Sequence, residues 1–198
     1  MSKKWLIAVY LANLAIVIYF WWLGTSEVIA AGGAGIRLAL ARLAGLLGAF
    51  SILTQYTLIS TAPWVNKTLG QYKLTNAHIV NGKVAFTLIV THIILIKSVY
   101  SNPLALPYVW LAAIAFTILI ATVGTAILRK YLPYKIWHTI HLLNYTIAAL
   151  VIWHQLANGG SLLANRAFRY YWIAINILAL GNLIYFRLLK PRLTIRSG

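Results

Sequence analysis

The amino-acid sequence predicts an all-α protein, a bundle of six transmembrane helices. Three observations carry that prediction. Of 198 residues, 62% are hydrophobic and only 9% are charged, against roughly 25% charged in soluble domains. The apolar residues gather into six segments, at about 5–23, 36–61, 75–100, 105–128, 135–157 and 168–189, each near the roughly 20 residues a helix needs to cross lipid. Short polar or Gly/Pro-rich turns separate them. Pro63, Pro103, Pro107, Pro133 and Pro191 all stand at segment edges, where a missing N–H does least harm. A chain this apolar cannot clothe itself in polar surface, so lipid is the better solvent.

The first segment follows Met1-Ser2-Lys3-Lys4 and could mimic a signal peptide. It runs from Trp5 to Leu23 without a clear small-residue cleavage site, so it is expected to remain as the first helix. Ala30–Gly35 reads as a small-residue turn into the second segment. The third and fifth segments carry all five histidines. The sixth ends before Pro191. Residues 1–190 therefore read as one membrane domain, with 191–198 as a C-terminal tail. There is no internal repeat and no low-complexity tract.

The net charge is +16, with one acid, Glu27. The basic residues form no stripe of the kind that binds nucleic acid. They sit at segment ends, as topology signals and headgroup anchors do. Lys3, Lys4, Lys67, Lys73, Arg129, Lys130, Lys135, Arg187, Lys190, Arg192 and Arg196 fall on one side of a six-span arrangement. Arg37, Arg42, Lys97, Arg166 and Arg169 fall on the other. The richer side is expected to be cytoplasmic, with both termini inside a plasma membrane of prokaryotic type. Most of the tryptophans (Trp5, Trp21, Trp22, Trp64, Trp110, Trp137, Trp153 and Trp172) lie near span ends and read as an aromatic belt. One acid cannot supply a carboxylate pair, which removes most hydrolase chemistry. The absence of cysteine excludes disulfides, thiolate nucleophiles and cysteine-bound iron–sulfur clusters.

The histidines are His78, His92, His138, His141 and His154. Ionisable groups within a bilayer are costly and by default mark function. His78 and His92 stand 14 residues apart, about 21 Å of rise with faces about 40° apart. His141 and His154 stand 13 apart, about 20 Å of rise. With the third and fifth helices running the same way, His78 and His141 share one depth, and His92 and His154 another. Two neutral imidazoles across a gap at each depth suit bis-histidine iron in a haem. Zinc needs three or four ligands at one point, which ligands so far apart cannot offer. One tension accompanies this pattern. A 13-residue step turns an ideal helix by about 140°, so the fifth helix bends or the two haems are approached from different sides. His138, one turn before His141, reads as an interfacial polar residue. Phe86 lies between His78 and His92 and reads as core packing, and Trp153 adjoins a ligand; either could relay electrons between haems.

Three stretches resemble the ferric reductase-like transmembrane domain shared by ferric-chelate reductases and NADPH oxidases. They are His78-Ile79-Val80-Asn81-Gly82 continuing to His92, Trp137-His138-Thr139-Ile140-His141 continuing past Tyr145 to His154, and Ala39-Leu40-Ala41-Arg42. The likeness covers nearly the whole chain. It implies an oxidoreductase fold enclosing two stacked b-type haems, with His78 and His141 binding the inner haem and His92 and His154 the outer. It implies Arg42 beside the outer haem, meeting a propionate or polarising a small acceptor; a lipid-phosphate anchor is the plainer role for that arginine. It also implies transmembrane electron transport from a cytoplasmic module holding FAD and fed by NAD(P)H, to oxygen or a ferric chelate outside. The chain carries no Gly-rich dinucleotide fingerprint. That module is therefore expected on a missing domain, whose first strand would be Leu193-Thr194-Ile195-Arg196, or on a partner subunit. The alternative is a stand-alone cytochrome b subunit passing electrons from quinone or a flavin reductase to a partner such as a methionine sulfoxide reductase. That branch tends to lack the first histidine of the third-helix pair, and His78 argues against it. A channel or transporter would show an inverted repeat or an acidic ion site, and neither is present.

Overall fold

The computed structural model describes residues 2–60 and 62–189. Lys190, Pro191, Arg192, Arg196 and the expected strand Leu193–Arg196 lie outside the described residues. All regular structure among the described residues is helical. The helices are α1 (Lys3–Leu23), α2 (Ser26–Ala30), α3 (Gly33–Ile59), α4 (Pro63–Leu69) and α5 (Gln71–Lys97), then α6 (Val109–Ile127), α7 (Tyr134–Leu142), α8 (Asn144–Asn158), α9 (Gly160–Ala164) and α10 (Arg166–Leu183). Six stretches are long and apolar enough to cross a membrane: α1, α3, α5, α6, the run Tyr134–Asn158 and the run Arg166–Arg187. The architecture is that of an integral membrane protein.

Element boundaries depart from the apolar segments for local reasons. Helix α5 starts at Gln71, not near 75, because Gly70 (φ 75°) both ends α4 and opens α5. The polar residues that follow are wound into the helix although hydropathy ignores them. The Ala30–Gly35 turn is narrower than expected: α2 reaches Ala30, α3 begins at Gly33, and Gly32 (φ 81°) supplies the left-handed corner. Helix α6 starts at Val109 instead of 105, after a 3₁₀ turn at Pro103–Ala105. Ser2 caps α1 by accepting from the Trp5 N–H, and Asn165 caps α10 by accepting from the Phe168 N–H.

Helix α3 is the axis of the bundle. Its buried face is rich in small residues: Gly35, Ala39, Ala41, Ala44, Gly48 and Ala49. Lipid tails are as apolar as leucine, so helices in a membrane associate through close packing, which small residues permit. Helix α3 packs along α5, α10, α1 and α2, while α6 packs along α7 and α8. A Cβ on Gly48 would meet the Ile89 side chain at 3.0 Å, which shows how closely α3 and α5 approach. One buried cluster joins five of these helices, through Tyr56 of α3, Ala85 of α5, Leu119 of α6, Ala148 of α8 and Leu183 of α10. Trp172 departs from the belt. It is fully buried beside Phe168 and Leu162, and its indole N–H donates to Gln155 Oε1 at 2.8 Å. Trp5, Trp22, Trp110 and Trp153 are exposed.

Candidate functional site

The two histidine-bearing stretches, α5 and α7–α8, do not pack on each other along their lengths. Their histidines meet across the intervening slot. The rings of His78 and His141 have centres 6.1 Å apart and cross at 77°. Those of His92 and His154 are 6.4 Å apart and cross at 65°. Among the described residues, no three His, Cys, Asp or Glu side chains gather where they could hold a metal ion. The histidines converge in twos.

At the His92–His154 level the rings themselves are tied. His92 Nδ1 lies 2.8 Å from the Ala41 carbonyl. A carbonyl only accepts, so Nδ1 carries the proton and Nε2 keeps the lone pair. The carbonyl is reachable because the residue one turn on is Gly45, where a Cβ would stand 2.8 Å from His92 Nδ1. On the facing helix the Asn158 amide nitrogen lies 3.3 Å from His154 Nδ1. The same amide reaches the Pro107 and His154 carbonyls. Beside this level opens a cavity of about 500 Å³, its wall including His92, His154, Arg42, Gln155 and Ser161. The Arg42 guanidinium reaches the Gly24 carbonyl at 3.4 Å. It lies against Gly160, where any Cβ would collide with it. Ser161 Oγ is buried with no hydrogen-bond partner.

At the His78–His141 level the backbone is tied and the rings are not. Gln55 Nε2 donates to the His78 carbonyl at 2.9 Å. Again a glycine one turn on, Gly82, makes room: its Cβ would meet Gln55 Nε2 at 2.8 Å. Asn144 Nδ2 donates to the His141 carbonyl at 3.1 Å. The Nδ1 atoms of both histidines are buried without a partner, as are Gln55 Oε1 and Trp137 Nε1. Trp137 stacks on His141 with ring centres 5.4 Å apart. Arg129 lies over the Trp137 ring at 5.4 Å. His138 stacks on Tyr134 at 5.2 Å and joins neither pair.

The fifth span is interrupted. It divides at Leu143 into α7 and α8, with i→i+3 hydrogen bonds from Leu143 N–H to Ile140 and from Thr146 N–H to Leu143. Such 3₁₀ winding turns about 120° per residue in place of about 100°. Overwinding at the break adds to the turn between His141 and His154, in the sense that offsets the mismatch of a 13-residue step. The fifth span is thus not the single ideal helix on which that tension rests.

The structure brings Arg42 to the wall of the cavity beside His92 and His154. Phe86 packs against the buried cluster, and Trp153 is exposed beside Tyr108. Sequence reasoning missed Gly45, Gln55, Tyr56, Thr122, Asn144 and Gln155. All but the glycine carry polar groups inside apolar spans, the same signal that singled out the histidines. Comparison of the chain with family models, with curated proteins and with solved structures found no match.

Proposed function

We propose that the chain is the membrane-spanning electron-transfer part of an oxidoreductase, built to hold two b-type haems at two depths, each between two imidazoles. The observation that carries this reading is the pair of ring separations, 6.1 and 6.4 Å. Two imidazoles bound through nitrogen on opposite sides of one iron have centres about 6.2 Å apart, given bonds of roughly 2.0 Å and ring radii of roughly 1.1 Å. The slot between α5 and the fifth span supports it, since helices that pack directly stand only about 8–10 Å apart and these two do not pack. The cavity of about 500 Å³ falls within the roughly 300–1,000 Å³ usual for cofactor pockets.

Haem, when bound, supplies a one-electron iron couple that no side chain of this chain offers. The chain's own part is to bind, orient and exclude. His78 and His141 would hold the inner haem, His92 and His154 the outer. The Ala41 carbonyl fixes the His92 tautomer and makes that ring a stronger donor. Arg42 suits a carboxylate of the bound group, or a small anionic acceptor entering the cavity. In this reading FAD and NAD(P)H belong to a cytoplasmic domain or subunit, and oxygen or a ferric chelate is the acceptor outside. Both assignments come from the resemblance to the ferric reductase-like domain.

The test is an absorption spectrum of the purified chain, oxidised and reduced, with haem counted per chain. A low-spin bis-histidine b-type spectrum with two haems per chain is expected. No such spectrum after haem supplementation would sink the reading, and one haem per chain would remove a level.

A further inference from the structure

We propose that the Tyr56 hydroxyl, with Thr122 and Asn144, sets the break at Leu143 and thereby turns His141 to face His78. Kinks in helices come from proline, from glycine or serine pairs, from π-bulges, or from a side chain or water inserted into the i→i−4 ladder. The span Tyr134–Asn158 contains neither proline, glycine nor serine. It does carry a side chain laid against the ladder, in the first turn of α8. Tyr56, reaching across from α3, donates its O–H to the Asn144 carbonyl at 2.8 Å and accepts from the Ala148 N–H at 3.3 Å. Those two backbone groups are the ones that a straight helix pairs with each other.

The other side of the break is held from α6. Thr122 Oγ1 donates to Asn144 Oδ1 at 2.9 Å, and Asn144 Nδ2 donates to the His141 carbonyl at 3.1 Å. Tyr56 is 2% exposed and Thr122 1%. Water is not at hand to replace these partners, and a buried hydroxyl without one is costly. The ring of contacts therefore runs from α3 through the break to α6 and ends on the histidine itself. Tyr56, Thr122 and Asn144 are positioning residues acting through the backbone. Without the phenol oxygen the first turn of α8 loses its tie to α3, the break relaxes, and His141 moves toward the phase of an uninterrupted helix, about 140° from His154. Helix α7 is the part that turns: it buries no residue, whereas α8 is anchored by Asn158 and by Gln155 on Trp172. The consequence for a bound iron rests on the function proposed above; the consequence for the histidine phase does not.

The chain has no cysteine, so H78C/H141C and H92C/H154C variants of the full chain report the two facings directly, with a short bifunctional thiol reagent and no bound group. In the Tyr56→Phe background the 78/141 cross-linking yield is expected to fall about fivefold relative to 92/154, the change that one lost hydrogen bond makes in an equilibrium. Thr122→Val should lower the same yield, and Thr122→Ser should restore it. With the histidines in place, Tyr56→Phe should shift the electron paramagnetic resonance g-values of one low-spin haem and leave the other unmoved. Yields that fall together, or that do not fall in folded protein, overturn the proposal. Should Tyr56→Phe fail to fold, the Thr122 pair decides alone. A haem-free spectrum beside the expected cross-linking pattern would sink the haem reading and leave this one standing. Unmoved cross-linking beside a normal haem spectrum would do the reverse.

Discussion

The two histidine levels use the same two spans but are held in opposite ways. At His92–His154 the protein grips the rings, through the Ala41 carbonyl and the Asn158 amide. At His78–His141 it grips the backbone beneath the rings, through Gln55 and Asn144, and both Nδ1 atoms are left without partners. The first level opens on a cavity lined by Arg42; neither His78 nor His141 lines it. One level is thus organised at the imidazole rings themselves, and the other by where the helix carries its side chain. Changes close to the rings should hurt the first level more, and changes to helix shape should hurt the second.

The largest expected effect breaks the levels apart. His92→Ala or His154→Ala should abolish one haem, and His78→Ala or His141→Ala the other, so each variant keeps about half the wild-type absorbance. Any variant that keeps the full complement contradicts the assignment of that residue. Next comes Gly45→Ala, whose new Cβ would crowd His92 Nδ1 off its carbonyl. Outer-shell losses of this kind cost roughly 10–100-fold in affinity, read by titrating haem into depleted protein. Equal weakening at both levels would erase the distinction drawn above. Gln55→Leu should cost about 0.6–1.7 kcal/mol, the range for hydrogen bonds between membrane helices, seen as a lower thermal midpoint and a looser His78 level. The smallest effect is expected at Trp137→Phe. Its indole nitrogen bonds nothing and the ring stack on His141 survives, so stability should move by less than about 0.5 kcal/mol. A larger loss in a melting experiment would mean that the indole N–H has a partner in the working protein.

Much of this was legible in the sequence. Six apolar runs, bounded by prolines and basic residues, located the spans. The depths of the histidines followed from spacing and helical rise alone, because 1.5 Å per residue is nearly invariant. Angular phase was less legible, since one overwound turn changes it. The 13-residue step announced that something must give, but Tyr56 is 88 residues from Asn144 in the chain, and no local pattern announces such a contact. The roles of Gly45 and Gly82 were hidden for a related reason. Each lies one turn after a carbonyl used by the neighbouring helix, Ala41 and His78 respectively. Only the pairing of α3 with α5 reveals what the missing Cβ is for. Trp172 misled because nearness to a span end says nothing about which way an indole faces.

The slot between α5 and the fifth span bears on how the protein matures. Helix α5 leans on α3 and helix α8 on α6, so these two sheaves can form in the membrane before the slot between them is filled. On the function proposed here, the prosthetic groups arrive late and act as the clasp, stabilising the closed bundle by mass action. A haem-starved cell would then hold fully inserted but loosely closed chains, exposed to membrane proteases, and the supply of haem would set the abundance of the protein as well as its activity.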